Sequence, residues 1–203
     1  MADSIPKRKL DPQTKGKLEN VVKELFSHKD FHQVNMRCLA EKTGVGLNTI
    51  YMHFDSKERL LFSFIDEWIQ ALDDRLAEHL QGLEDIREKI RKMIWVILDF
   101  YEKNPDIAAI VMMTVPFKTW ATDNTFKQKD LSARVIGLFQ EGKDKGILNP
   151  DIPAQIMFDV LYGIMHRSVY IWLYLNQKDS LTANANLYYD MIWRAIADPN
   201  RQK

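Results

Sequence analysis

The sequence predicts an all-α protein, with a small three-helix head at the N-terminus and a larger helical body behind it. Apolar residues recur at three- and four-residue spacing along nearly the whole chain, the period of helices packed on one side. Apolar–polar alternation bounded by turn residues is missing, so a sheet is not expected. Capping residues, prolines and glycines punctuate the periodic segments at helical lengths.

The elements follow in order. Asp11-Pro12 is a helix start, a capping carboxylate followed by a proline where no backbone donor is missed. Leu18, Val21, Val22, Leu25 and Phe26 then mark an inner face that fades between His28 and Asp30. Asn35 can cap a short second helix whose inner residues are Met36, Leu39 and Ala40. Thr43-Gly44-Val45 is a tight break, with glycine available for a left-handed conformation. A third short helix runs from about Leu47 to His53, with Ile50 and Phe54 turned inward. Asp55 or Ser56 can cap a fourth helix of about 25 residues, long enough to connect a head to a body. Further helices are expected from Ile86 to Asn104, from Asp106 to Val115 before Pro116, from Asn124 to Lys145, from Ile152 to Leu175, and from Thr182 to Ala197.

The chain has 203 residues, 46% hydrophobic and 28% charged. That mixture can bury a sizeable core, so intrinsic disorder is not expected. Basic and acidic side chains balance at 28 each, which excludes a uniformly basic nucleic-acid binder but not a local basic patch. Residues 1–60 hold 11 basic and 8 acidic side chains, and the remainder 17 and 20. The mild asymmetry has the sign of a DNA-binding head on an acidic body. The first seventeen residues read as a basic arm with Lys7, Arg8, Lys9, Lys15 and Lys17. Cys38 is the single cysteine, so neither an intrachain disulfide nor a cysteine-based zinc site is possible, and a cytoplasmic location is expected. The N-terminus carries no apolar signal segment. The most apolar stretch, Ile152 to Leu175, contains Asp159, His166 and Arg167 and reads as a buried helix, so no membrane partner is expected.

Two short helices joined by a glycine turn and preceded by a third form a helix-turn-helix, in which the second of the pair lies in the major groove and the first braces it. Ala40 suits the close crossing of the pair, and Val45 and Ile50 plug the core beneath. The stretch from Leu39 to Leu61 resembles the DNA-binding signature of TetR-family regulators. The matching residues are Ala40, Gly44-Val45, Thr49-Ile50-Tyr51, His53-Phe54 and Ser56-Lys57-Glu58, with Leu25-Phe26 and Phe31 upstream, so that the resemblance covers roughly residues 14–62. A looser resemblance extends into the body through Glu141-Gly142, Gly146-Ile147-Leu148, Pro150-Asp151, Ala154, Gly163 and Trp172. There are departures. Gly46 stands where the family usually has serine or alanine, Asp30 replaces a common glycine, and Val34 and Cys38 replace polar residues.

The resemblance implies a DNA-binding helix-turn-helix domain over residues 1–56 and a helical effector-binding and dimerisation domain over residues 57–203. It implies that Leu47, Asn48 and Met52 face base edges. Thr49, Tyr51, His53 and Lys57 would hold phosphates, with Asn35 and Arg37 helping from the second helix and Lys15 and the arm adding backbone or minor-groove contacts. Gly46 belongs to the same interface but lacks the hydroxyl expected there. Phosphate contacts set register, and base contacts choose sequence.

The body carries a methionine and aromatic stripe, which reads either as core or as the lining of an effector cavity. The candidates for that lining are Phe100, Met112, Met113, Phe117, Trp120, Phe139, Tyr162, Met165 and His166. The default for His166 is a hydrogen-bonded core histidine. Cys38 reads as inert, and Glu84-Asp85 and Asp73-Asp74 as solvated faces. His28 and His32 have metal-compatible spacing, but the helix ends between them. The helix from Ile152 is apolar nearly all round and must be covered on two sides. With the last helix it can form a four-helix interface between two chains.

The function expected is that of a homodimeric repressor, released from a near-palindromic operator by a small apolar or aromatic effector. The alternative is an enzyme or carrier on a helical body with a vestigial head. The sequence has no nucleophile motif, glycine-rich phosphate loop or metal-ligand cluster, so no enzyme activity, metal or cofactor is expected. The base-facing set holds no arginine or lysine. Asparagine pairs with adenine, and apolar side chains pack on thymine methyls. Duplexes selected from a random pool should therefore be A·T-rich at the contacted central positions of each half-site, and mostly G·C pairs there would refute this assignment.

Overall fold

The computed structural model describes residues 10–114 and 129–201. Among them the helices are α1 (Pro12–His28), α2 (Met36–Thr43), α3 (Leu47–Phe54), α4 (Lys57–Leu80), α5 (Ile86–Lys103), α6 (Pro105–Ala109), α7 (Lys129–Asp144), α8 (Ala154–Tyr174) and α9 (Ala185–Ile196). A π-helical turn, Ile110–Thr114, continues α6, and 3-10 turns lie at Phe31–Gln33, Thr182–Asn184 and Pro199–Arg201. No strand occurs among the described residues, and one isolated antiparallel bridge joins Leu148 to Ala197. The architecture is all-α. Val115, Pro116 and the expected start of a helix near Asn124 lie outside the described residues, as do Lys7, Arg8 and Lys9 of the arm.

The punctuation works as local chemistry requires. The Asp11 carboxylate accepts from the Thr14 backbone N–H at 2.9 Å, and the Asn35 side chain accepts from that of Cys38 at 2.8 Å. Gly44 ends α2 at φ 70°, ψ 10°, and donates its N–H to the Ala40 carbonyl at 2.9 Å. A side chain at that left-handed position would be disfavoured. Ser56 starts α4 by accepting from the Arg59 N–H at 3.2 Å, and Asp85 starts α5 by accepting from the Arg87 N–H at 2.8 Å.

The described residues fall into two compact units. The first runs to Glu67 and includes the segment from Ala109. Its core is built from Leu18, Val22 and Phe26 of α1, Leu39 of α2, Ile50 of α3, and Leu60 and Leu61 of α4, all inaccessible to solvent. The Thr114 hydroxyl donates to the Phe26 carbonyl at 2.7 Å, tying the returning segment to α1. Ile50 is the one fully buried residue of α3. Val45, expected to plug this core, is only half-buried, and so is Phe54, whose ring lies 6.2 Å from that of Phe64.

The second unit comprises Trp68–Ala108 and the chain from α7 onward. α7 packs on α8, and α9 packs on both α5 and α8. Leu72 and Leu76 of α4, Ile90 and Ile94 of α5, Phe139 of α7, Met157 and Val169 of α8, and Ile192 of α9 form its core. Asp73 does not lie on a solvated face. It is 4% exposed and takes both ends of the Arg134 guanidinium, at 2.6 and 2.9 Å. Two charge-assisted bonds satisfy both carboxylate oxygens there. Asp99, also buried, is held by Arg75 and by Lys103 at 3.0 Å. No described helix is long and apolar enough to cross a membrane. No group of three candidate metal ligands occurs among the described residues.

Gly142 sits where α7 meets the turn that follows it. A Cβ there would lie 2.6 Å from Leu148 Cδ1, 2.8 Å from Leu148 Cγ and 3.1 Å from Ile86 Cγ2. Leu148 and Ile86 are both fully buried, so neither has room to give way. Gly142→Ala should destabilise the protein by about 1–3 kcal/mol, the usual range for overpacking a core. Chemical denaturation would read this as a lower midpoint at unchanged slope.

Candidate functional site

An eight-residue helix with one buried residue has most of its surface left over. On α3 that surface is Asn48 and Thr49, both exposed, Tyr51 at 45% and Met52 at 73% exposure, with Leu47 and His53 half-buried. Large apolar side chains left in water on an otherwise well-packed unit suit contact with another molecule. Gly46 precedes α3 in an extended conformation and caps it without a side chain. Its missing Cβ would meet only Thr49 Oγ1, at 3.5 Å, so the position has room for a larger residue.

The surrounding cations divide into paired and unpaired. Lys15 is bound to Glu67 at 2.6 Å, and Lys42 to Glu24. Asn35 commits its oxygen to the cap of α2, leaving its amide donors. Arg37 is exposed, and neither it nor Lys17 has an acidic partner among the described residues. The Lys57 ammonium donates to two backbone carbonyls, Phe31 at 2.7 Å and Val34 at 2.8 Å, and lies 4.1 Å from the centre of the Phe31 ring. Burial holds it below the usual lysine range, and the Glu58 carboxylate partly offsets this.

The start of α1, the turn between α2 and α3, and one side of α3 enclose a cleft of about 450 Å³. Leu10, Asp11, Thr14, Lys17, Thr43, Gly44, Val45, Thr49 and His53 line it. Sequence reasoning anticipated Thr49 and His53. It placed Lys17 in the arm, read Thr43 only as part of the break before α3, and did not name Thr14. The signal was present in the Asp11-Pro12 start, which puts residues 14 and 17 on the first turns of α1.

The candidates for an effector cavity are dispersed. Phe100, Phe139 and Met165 are buried in the core of the second unit. Met112 and Met113 belong to the first unit, half-buried and exposed respectively. Phe117 and Trp120 lie outside the described residues. Tyr162 and His166 stand one turn apart on α8 with rings 5.5 Å apart, and Phe158 stacks on Tyr162 at 6.0 Å. Tyr101 of α5, 5% exposed, joins them and packs edge-on to Phe100 at 5.6 Å. The side chains of Tyr101, Tyr162 and His166 make no hydrogen bond among the described residues. Burial, reinforced by Tyr162, pushes the Tyr101 hydroxyl above its ordinary range, and burial alone raises Tyr162. Burial also holds His166 below the ordinary histidine value. All three groups are therefore neutral at physiological pH. Tyr101 has no sequence signal beyond its place on the apolar face of α5. Tyr162 itself is 45% exposed, and Ile156, Tyr174 and Leu175 at α8, and Leu187 and Met191 on α9, are exposed as well.

Comparison with known proteins accords with this arrangement. The sequence profile of bacterial regulatory proteins of the tetR family matches residues 22–64, and that of the YsiA-like protein C-terminal region matches residues 64–195. The HTH-type transcriptional regulator UidR of Escherichia coli (strain K12) is 20% identical over 156 residues, 75% of this chain and 80% of its own. The fatty acid degradation regulator FadR from Bacillus halodurans has the same fold, with a TM-score of 0.81 at 19% identity over 92% of this chain and 97% of its own. The transcriptional regulator FadR from Bacillus subtilis, solved in complex with stearoyl-CoA, gives 0.79 at 19% identity over 87% and 96%. The chain belongs to the tetR family of bacterial regulatory proteins and is a DNA-binding transcriptional regulator, not an enzyme.

Proposed function

We propose that the protein is a homodimeric repressor that reads a near-palindromic operator through α3 and leaves it when a small apolar effector occupies the body. The observation that carries this reading is the exposure of Met52 and Tyr51 beside Asn48 on a helix anchored by Ile50. In this reading residues 1–56 bind DNA and residues 57–203 bind effector and dimerise. Leu47, Asn48 and Met52 meet base edges. Thr49, Tyr51 and His53 meet phosphates, with Gly46 backing the helix start. Asn35 and Arg37 extend the contact along the backbone, and Lys17, Thr14 and Thr43 line the cleft beside it. Lys15 must leave Glu67 to contribute.

Two copies of the α8–α9 face would bury the side chains now exposed there in a four-helix interface. A two-fold dimer presents two copies of α3, which is why the operator should be near-palindromic. Because Tyr101, Tyr162 and His166 are neutral and set among aromatic rings, the effector should be an apolar body with an uncharged hydrogen-bonding group at its buried end. Stearoyl-CoA, with which the Bacillus subtilis neighbour was solved, shares the long apolar chain and an uncharged thioester carbonyl but adds a charged coenzyme A head that would have to stay outside such a site. The effector acts only through its difference in affinity for the DNA-competent and incompetent states.

Sequencing of duplexes enriched from a random pool tests the DNA reading. A two-fold symmetric motif is expected, with binding that falls steeply as salt rises. An asymmetric motif, or no enrichment with folded protein at low salt, would overturn it. Release of the selected duplex by stearoyl-CoA but not by free coenzyme A is the matching test of the effector.

His166 supplies a pH test. Its folded-state value is lowered, so the unfolded chain binds the proton more readily, and stability falls as pH drops below the ordinary histidine value of about 6.5. His166→Gln should flatten the pH dependence of the denaturation midpoint between pH 7.5 and 5.5. An unchanged profile would remove His166 from the neutral cluster.

A further inference from the structure

A lysine at the first position of a helix faces the positive end of the helix dipole, where a cation is disfavoured. Lys57 holds that position on α4. Its ammonium is turned away from the helix start to the two ends of the Phe31–Gln33 turn. There it donates to the Phe31 and Val34 oxygens and lies close to the Phe31 ring, which also packs on Phe26 of α1, 6.0 Å away, and on His32. Phe31 and Val34 are themselves buried. One side chain thus joins the start of α4 to the corner between α1 and α2.

The link from α3 to α4 makes this contact matter for recognition. Only Asp55 and Ser56 separate the two helices. Asp55 has φ 60° and ψ −44°, and the Ser56 N–H donates to the Phe54 carbonyl at 2.6 Å. That is a γ-turn with positive φ, a strained and closely constrained reversal. The exit of α3 therefore follows the start of α4 with little slack. Its entry is set by Gly44 at the end of α2. Lys57 spans the two supports.

We propose that Lys57 is a positioning residue for DNA recognition, which clamps the α1–α2 corner to α4 so that α3 is held at a fixed angle, and that it does not itself hold a phosphate. This rests on the reading of α3 as the recognition helix. A phosphate ligand and a clamp leave different signatures. A phosphate ligand adds about 0.9 to the salt slope and contributes equally to every duplex. A clamp acts on the alignment of α3 with base edges, and so on the ratio of specific to non-specific affinity.

The test compares wild type with Lys57→Met, which keeps the stem and removes the donors. Affinities are measured for a selected operator and an unrelated duplex across a salt series, at a temperature where melting curves show both proteins folded. Operator affinity should fall at least tenfold, affinity for the unrelated duplex should stay within twofold, and the salt slope should not change. A parallel loss on both duplexes with a slope lower by about one would overturn the proposal in favour of a phosphate contact. A parallel loss at unchanged slope would overturn it in favour of a role in stability alone. Wild-type protein that enriches no duplex would instead defeat the DNA reading, before any variant is compared. Should the variant fail to fold, competitive amine labelling of wild type decides. Lys57 should label far more slowly than Lys17, with operator present or absent. Rapid labelling that operator suppresses would overturn the clamp.

Discussion

A helix of two turns does not hold itself together in water, because nucleating it costs more than so few hydrogen bonds return. α3 has eight residues and buries one of them, so its shape and direction come from what surrounds it. The first unit is organised around that constraint. α1 supplies a wall of Leu18, Val22 and Phe26, α2 presses Leu39 into the same core, and α4 closes it with Leu60 and Leu61. Gly44 and Asp55 turn the chain sharply on either side of α3, so both its ends are tied to better-anchored neighbours. Ile50 is the one residue of α3 fully used for packing, and Asn48, Thr49, Tyr51 and Met52 are left exposed for contact.

A chain with no net charge can still offer a cationic face by neutralising some cations and not others. Lys15, Lys23 and Lys42 are bound to Glu67, Glu19 and Glu24. Exposed pairs of this kind add little stability. Their larger effect is to remove those positive charges from competition for an anion. Arg37 of α2 and Lys17 of α1 stay unpaired among the described residues. The distribution of partners, more than the count of lysines, shapes the field that a phosphate backbone would meet.

The second unit handles charge in the opposite way. Asp73 and Asp99 are buried, and each is bound to an arginine. Desolvating such groups is costly, and losing one partner would leave the other stranded. The neutral side chains of Tyr101, Tyr162 and His166 contrast with them. Buried hydroxyl and imidazole groups are ordinarily hydrogen-bonded. Here only Tyr101 is buried, whereas Tyr162 is 45% exposed and His166 half-buried, so the last two can meet water.

The sequence by itself determined the helices, because their signals are local. Asp11-Pro12, Asn35 and Gly44 act within one turn of their own position, and apolar spacing marks the inner face of each helix. It also determined the family, since the signature from Leu39 to Leu61 is contiguous. The tertiary structure alone decided which side chains are engaged. Asp73 looks solvated until Arg134, 61 residues away, is brought against it. Lys57 looks like an open phosphate ligand until the Phe31 and Val34 carbonyls are brought beneath its ammonium. Lys17 looks like part of an arm until the start of α1 is set beside the turn before α3. The physical reason is the same in each case. Capping and periodicity act over a few residues, whereas the partners of a charged or polar group are chosen by packing between distant segments.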